Sequence, residues 1–95
     1  MYLGTYTFTG DTTELKAGYD RLLANFGAAD FLVHIAALGD GELTVIDACP
    51  DKATFVEFSK GAMFLGAVAA AGLPEPKVTL VGEVRTAMLK EMVHQ

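Results

Sequence analysis

The stretch from Phe31 to Cys49 constrains this chain most. It holds two apolar runs, Phe31 to Leu38 and Leu43 to Cys49, about the turn Gly39-Asp40-Gly41-Glu42. Asp-Gly between hydrophobic runs is among the strongest short hairpin signals, because a two-residue turn needs positive φ at its centre. Pro50 closes the second run, since proline cannot donate to a ladder. An antiparallel sheet with one wet face alternates apolar and polar residues along each strand. These runs do not. His34 is the polar exception in the first, and Leu43, Val45, Ile46 and Ala48 occupy both faces of the second. Both faces of the hairpin therefore need cover.

The flanking segments supply one layer of it. Tyr2 to Thr9 is rich in Tyr, Thr and Phe, which suit a pleated strand. Asp11 with Glu14 three residues on reads as a capping box, and Leu15, Tyr19, Leu22, Leu23 and Phe26 follow as one apolar helical stripe. Gly27 is a natural stop. Asp51 caps a second helix that carries Phe55, Phe58, Ala62, Leu65 and Ala69 on one face and ends in a Schellman cap at Gly72-Leu73, before Pro74. Val78 to Val84 is the last strand. Arg85 to Gln95 places Met88, Leu89 and Met92 at helical spacing, which predicts a short terminal helix.

The order β-α-β-β-α-β is that of the ferredoxin-like split βαβ, an α+β fold. It predicts one domain over residues 1–95, a four-stranded antiparallel sheet with two helices on one face. No residues remain to cover the other face. Hydrophobic residues make up 52% of the 95, above the usual soluble share, so a second copy of the chain is the simplest cover.

Charge and composition exclude other classes. The net charge is −5, and the seven basic residues form no stripe that would neutralise a phosphate backbone, so no nucleic-acid partner is expected. No apolar run reaches the roughly 18 residues of a membrane span. Met1-Tyr2-Leu3-Gly4 lacks the features of a signal peptide, and the single Cys49 has no disulfide partner, so a cytoplasmic setting is expected. Two histidines and one cysteine show no paired metal-ligand spacing, and no Gly-rich phosphate loop follows a strand; neither metal nor cofactor is expected.

A two-residue Asp40-Gly41 turn pairs Gly39 with Glu42, and stepping outwards places His34 opposite Asp47 on the same face. Leu32, Ala36, Val45 and Cys49 share that face. Val33, Ile35, Ile46 and Ala48 occupy the other, an aliphatic set suited to the helices. By elimination, His34 and Asp47 are expected to point away from the helices, into the space between two sheets of a dimer. A carboxylate beside an imidazole fixes its tautomer and stabilises the imidazolium, which makes the pair a candidate general base, with His34 as base and Asp47 as orienter. The competing reading is a satisfied buried polar pair that gives register or dimer specificity.

At these residues the chain resembles the dimeric α+β barrel superfamily, which includes antibiotic-biosynthesis monooxygenase-like and stress-responsive barrel proteins. The resemblance is carried by the histidine of Leu32-Val33-His34-Ile35-Ala36, the aspartate of Val45-Ile46-Asp47 and the ending Ala71-Gly72-Leu73-Pro74-Glu75-Pro76. It implies a homodimer and brings cofactor-independent oxygenation into consideration. The quinone-forming and haem-degrading members typically use tryptophan and polar clusters; the absence of tryptophan here argues against both activities.

Two functions stand side by side. One is a small enzyme acting on a hydrophobic, aromatic or polyketide-like molecule by proton abstraction, isomerisation or cyclisation, or cofactor-independent oxygenation. Its cavity would be lined by Tyr2, Tyr6, Leu32, Ala36, Val45, Cys49, Met63, Phe64 and Glu83. Met63 and Phe64 with Met88 and Met92 would form an adaptable apolar lid. The other is a non-catalytic dimer, a ligand-binding or accessory protein. Core packing for the tyrosines, a small buried hydrophobe for Cys49 and solvation at a strand end for Glu83 are the bland alternatives.

Overall fold

The computed structural model describes residues 1–25 and 32–89. Its elements run β1 (Tyr2–Thr9), α1 (Thr12–Asn25), β2 (Val33–Gly39), β3 (Glu42–Cys49), α2 (Lys52–Lys60), α3 (Ala62–Ala70) and β4 (Lys77–Glu83). One sheet holds all four strands in the order β2-β3-β1-β4, with every neighbouring pair antiparallel. The chain thus has the ferredoxin-like α+β fold that its hairpin and helix pattern predict. Among the described residues no single helix is long and apolar enough to cross a membrane.

The β2–β3 hairpin turns at Asp40-Gly41, with Gly41 at a φ of 73° and Gly39 opposite Glu42. The Asp11 carboxylate accepts from the Glu14 amide at 3.0 Å, and the Asp51 carboxylate from the Thr54 amide at 2.8 Å, which caps α1 and α2. The Schellman cap is present: Gly72, at a φ of 78°, donates to Ala69, and Leu73 donates to Val68. Leu73 then lies so close to α1 that a Cβ at Gly18 would stand 2.6 Å from its side chain.

The expected second helix is two helices. Gly61 is extended, with ψ at 143°, and the axes bend by 49° across it. The break rotates the buried stripe. Phe55 and Ser59 are buried before it and Phe64 and Val68 after it, whereas Ala62, Leu65 and Ala69 are exposed. Residues 84–89 form no helix, and Met88 and Leu89 are exposed; the rest of the expected terminal helix, with Met92, lies outside the described residues, as do Phe26, Gly27 and Phe31.

The helices cover the face opposite to the expected one. Tyr2, Gly4, Tyr6 and Phe8 of β1 and Leu43, Val45, Asp47 and Cys49 of β3 are buried, and the core joins them to Leu15, Leu22, Phe55, Phe64 and Val68. The aromatic volume of β1 decides this. Its other face, Leu3, Thr5, Thr7 and Thr9, offers far less apolar surface, so burying the tyrosine and phenylalanine face removes more from water. His34 and Asp47 follow Tyr6 and Val45 to the helix side. Val33, Ile35 and Ile46 share the open face.

Candidate functional site

The site grows from the register of three strands. His34 pairs with Asp47, and Asp47 pairs on its other side with Gly4. Gly4 leaves a gap above the sheet that the ring of Phe55 fills; a Cβ there would stand 2.0 Å from Phe55. The Asp47 carboxylate is therefore walled by an aromatic ring on one side and an imidazole on the other. Its side chain is 3% exposed and that of His34 20%.

His34 Nδ1 is hydrogen-bonded to Asp47 Oδ1. An ionised carboxylate only accepts, so Nδ1 carries a proton. In the neutral imidazole Nε2 is then an acceptor, and Tyr19 Oη, 2.7 Å away, donates to it. When the ring is protonated, Nε2–H donates and Tyr19 Oη accepts. The two rings lie nearly parallel, 6° apart, which aligns the phenol with the imidazole plane. A continuous chain results: carboxylate, imidazole, phenol. Burial, then the Asp47 charge, then Asp20, raise the Tyr19 phenol above its ordinary range, so it enters the chain neutral.

A cavity of about 30 Å³ adjoins this chain between the helices and the sheet. Tyr6, Phe8, Phe58 and Phe64 form its aromatic wall, and Leu22, Leu23 and Val45 its aliphatic one. Tyr19, His34 and Asp47 are the polar members of the lining besides Tyr6. Such a volume has room for about two waters. Ligand pockets are typically about 300 Å³ or more, so a larger guest would have to part the side chains around it.

The expected dyad thus exists as a bonded pair, but it faces this intramolecular cavity and not the space between sheets. Of the residues expected to line a cavity, Tyr6, Val45 and Phe64 do. Tyr2, Ala36 and Cys49 belong to the surrounding core, with Tyr2 packed 6.3 Å from Phe55 between ring centres. Burial raises the Cys49 thiol, with Asp47 and Asp51 adding to the shift, so it is not an activated nucleophile. Leu32 is exposed, and Met63 is 79% exposed because the break at Gly61 turns it outwards, so Met63 and Met88 form no lid over this cavity. Glu83 is exposed and pairs with the Met1 amino group at 3.6 Å. Among the described residues no group of three His, Cys, Asp or Glu side chains is placed to hold a metal ion.

Tyr19 is the member of this hydrogen-bonded chain that sequence reasoning missed. Its signal was its place in the apolar stripe of α1, four residues after Leu15 and three before Leu22. A polar tip in a buried stripe needs a partner.

No protein-family model matches the chain, and no curated protein matches it. Among solved structures, a crystal structure of a Deinococcus radiodurans protein, provisionally described as an antibiotic biosynthesis monooxygenase, has the same fold. The TM-score is 0.64 over 98% of this chain and 100% of that one, at 11% identity. An identity this low establishes shared architecture and leaves the chemistry to the site itself.

Proposed function

We propose that the chain is a small-molecule enzyme in which Tyr19, His34 and Asp47 move a proton to or from an apolar substrate held beneath the helices. The observation that carries this is the buried carboxylate–imidazole–phenol chain ending at an apolar cavity. His34 is the base, Asp47 holds its tautomer and offsets the imidazolium charge, and Tyr19 relays the proton between substrate and His34. Proton abstraction leading to isomerisation or cyclisation fits this set best. Cofactor-independent oxygenation would begin with the same abstraction, and the description of the Deinococcus protein supports keeping it in view.

The probe is β-tetralone, an apolar bicyclic ketone with acidic α-hydrogens, followed by NMR as it exchanges them for deuterium in heavy water. The protein should accelerate exchange. His34→Ala should lower the catalysed rate by about 10²–10⁴-fold, the usual share of general acid–base catalysis. Asp47→Asn and Tyr19→Phe should each lower it as well. Equal rates in all four proteins would overturn the proposal.

The cavity's small volume favours a second reading, a non-catalytic dimer whose His34–Asp47 pair is structural. There, His34→Ala would strand a buried carboxylate and cost about 3–5 kcal/mol of stability without touching any turnover. Both readings include a homodimer through the open sheet face, supported by the apolar side chains of Leu3, Val33, Ile35 and Ile46 on that face, with Ile35 nearly half exposed.

A further inference from the structure

Tyr6 is the most completely buried tyrosine in the chain, at 1% exposure. Its ring lies between Phe55 and Phe64, with centres 5.4 and 4.9 Å away. Its Oη is also buried, and among the described residues it has no hydrogen-bond partner. A buried hydroxyl without a partner costs stability, and phenylalanine would pack the same site without that cost. The hydroxyl stands on the wall of the cavity that Tyr19, His34 and Asp47 also line.

Chemistry narrows what would satisfy it. Burial, and after it the charges of Asp47 and Cys49, push the phenol's ionisation far upward, so Tyr6 presents a neutral O–H. Asp47 already accepts from His34. A ligand that satisfied it would be an uncharged acceptor on an otherwise apolar molecule, seated by parting the side chains around the cavity, since the remaining walls are aromatic and aliphatic.

We propose that Tyr6 Oη is a ligand-binding donor, and that the cavity takes apolar ketones whose carbonyl oxygen it holds. This rests on reading the cavity as the substrate site, and it names the substrate class. The α-hydrogen of such a ketone leaves as a proton to Tyr19 Oη while the Tyr19 proton passes to His34 Nε2. The C–H electron pair becomes the enolate double bond, and the carbonyl oxygen takes up the negative charge. The Tyr6 hydrogen bond strengthens as that charge develops, and the imidazolium beside Asp47 balances it.

The test compares β-tetralone with tetralin, the same carbon skeleton without the oxygen, each titrated by NMR against wild type and Tyr6→Phe. Tyr6→Phe should weaken β-tetralone binding by about three- to tenfold, the worth of one neutral hydrogen bond. Tetralin affinity should not change. The variant's melting temperature should hold or rise, because an unsatisfied hydroxyl has gone. Equal losses for both molecules, an unchanged ketone affinity, or no binding of either to wild type would each overturn the proposal. Failure here is distinct from failure of the proton-transfer reading. Deuterium exchange that depends on His34 while ketone affinity ignores Tyr6 leaves a base without this donor. Ketone-specific binding without exchange leaves the donor site standing and removes the base.

Discussion

His34, Asp47, Tyr19 and Tyr6 are four polar groups placed where packing would accept leucine or phenylalanine. Three of them satisfy one another, and the fourth is left over. The neutral phenols carry a pH signature. Folding raises the ionisation of Tyr6 and Tyr19 above that of an exposed tyrosine, about 10. A group raised on folding contributes stability that is complete below its unfolded value and is lost as pH climbs past it towards the folded one. Unfolding midpoints in urea should therefore fall as pH rises above about 10. Tyr6→Phe removes one such group, so its midpoint should fall less steeply over the same range. Parallel pH profiles for the two proteins would show that the Tyr6 environment does not disfavour the phenolate.

Strand β1 orients everything built on it. Its alternation is clean: Tyr2, Gly4, Tyr6 and Phe8 inward, Leu3, Thr5, Thr7 and Thr9 outward. Register then carries that choice to Asp47 and Val45 of β3 and to His34 and Ala36 of β2. Gly4 is the vacancy in the inward row, filled by Phe55. Gly4→Ala should displace that ring and cost about 1–3 kcal/mol, the range for overpacking a tight core. Urea unfolding measures it, and a change within error would mean Phe55 swings aside freely. The same substitution disturbs the wall beside Asp47, so the exchange rate of β-tetralone should drop with it. In the second crossover, Gly61 divides what periodicity alone reads as one helix, and the break sends Phe64 to the cavity and Met63 to solvent.

For the whole molecule, the sheet has one face under helices and one that no helix among the described residues covers. The open face carries Val33, Ile35 and Ile46 on its β2–β3 side with Leu3 nearby on β1, whereas Thr5 and Thr79 continue the Ile46 row across β1 and β4, and Thr7 pairs with Thr44 in the next row. A stable interface buries roughly 800 Å² per partner, and the apolar cluster on the β2–β3 side of this face is where a second copy would bury most. The protein should sediment at twice its 10.1 kDa monomer mass at micromolar concentration. Ile46→Lys, in a central strand of that face, should dissociate it without unfolding it. A folded wild-type monomer at these concentrations would refute the dimer.

Local chemistry determined most of the elements. Asp40-Gly41 specified the hairpin, and with it the His34–Asp47 pairing, because a two-residue turn admits one register. Asp11, Asp51 and Gly72-Leu73 marked helix ends through hydrogen bonds made within a few residues. Which face of the sheet the helices cover was a tertiary decision. In β2 and β3 alone both faces are apolar, so pairing leaves the choice open; the aromatic row of β1, two strands across from His34, settles it by the larger area it buries. Tyr19 met His34 only through packing, since α1 reaches β2 across the core and no spacing along the chain encodes a contact 15 residues apart. The unsatisfied Tyr6 hydroxyl is legible only there too, because a sequence shows that a tyrosine is present but not whether its oxygen finds a partner.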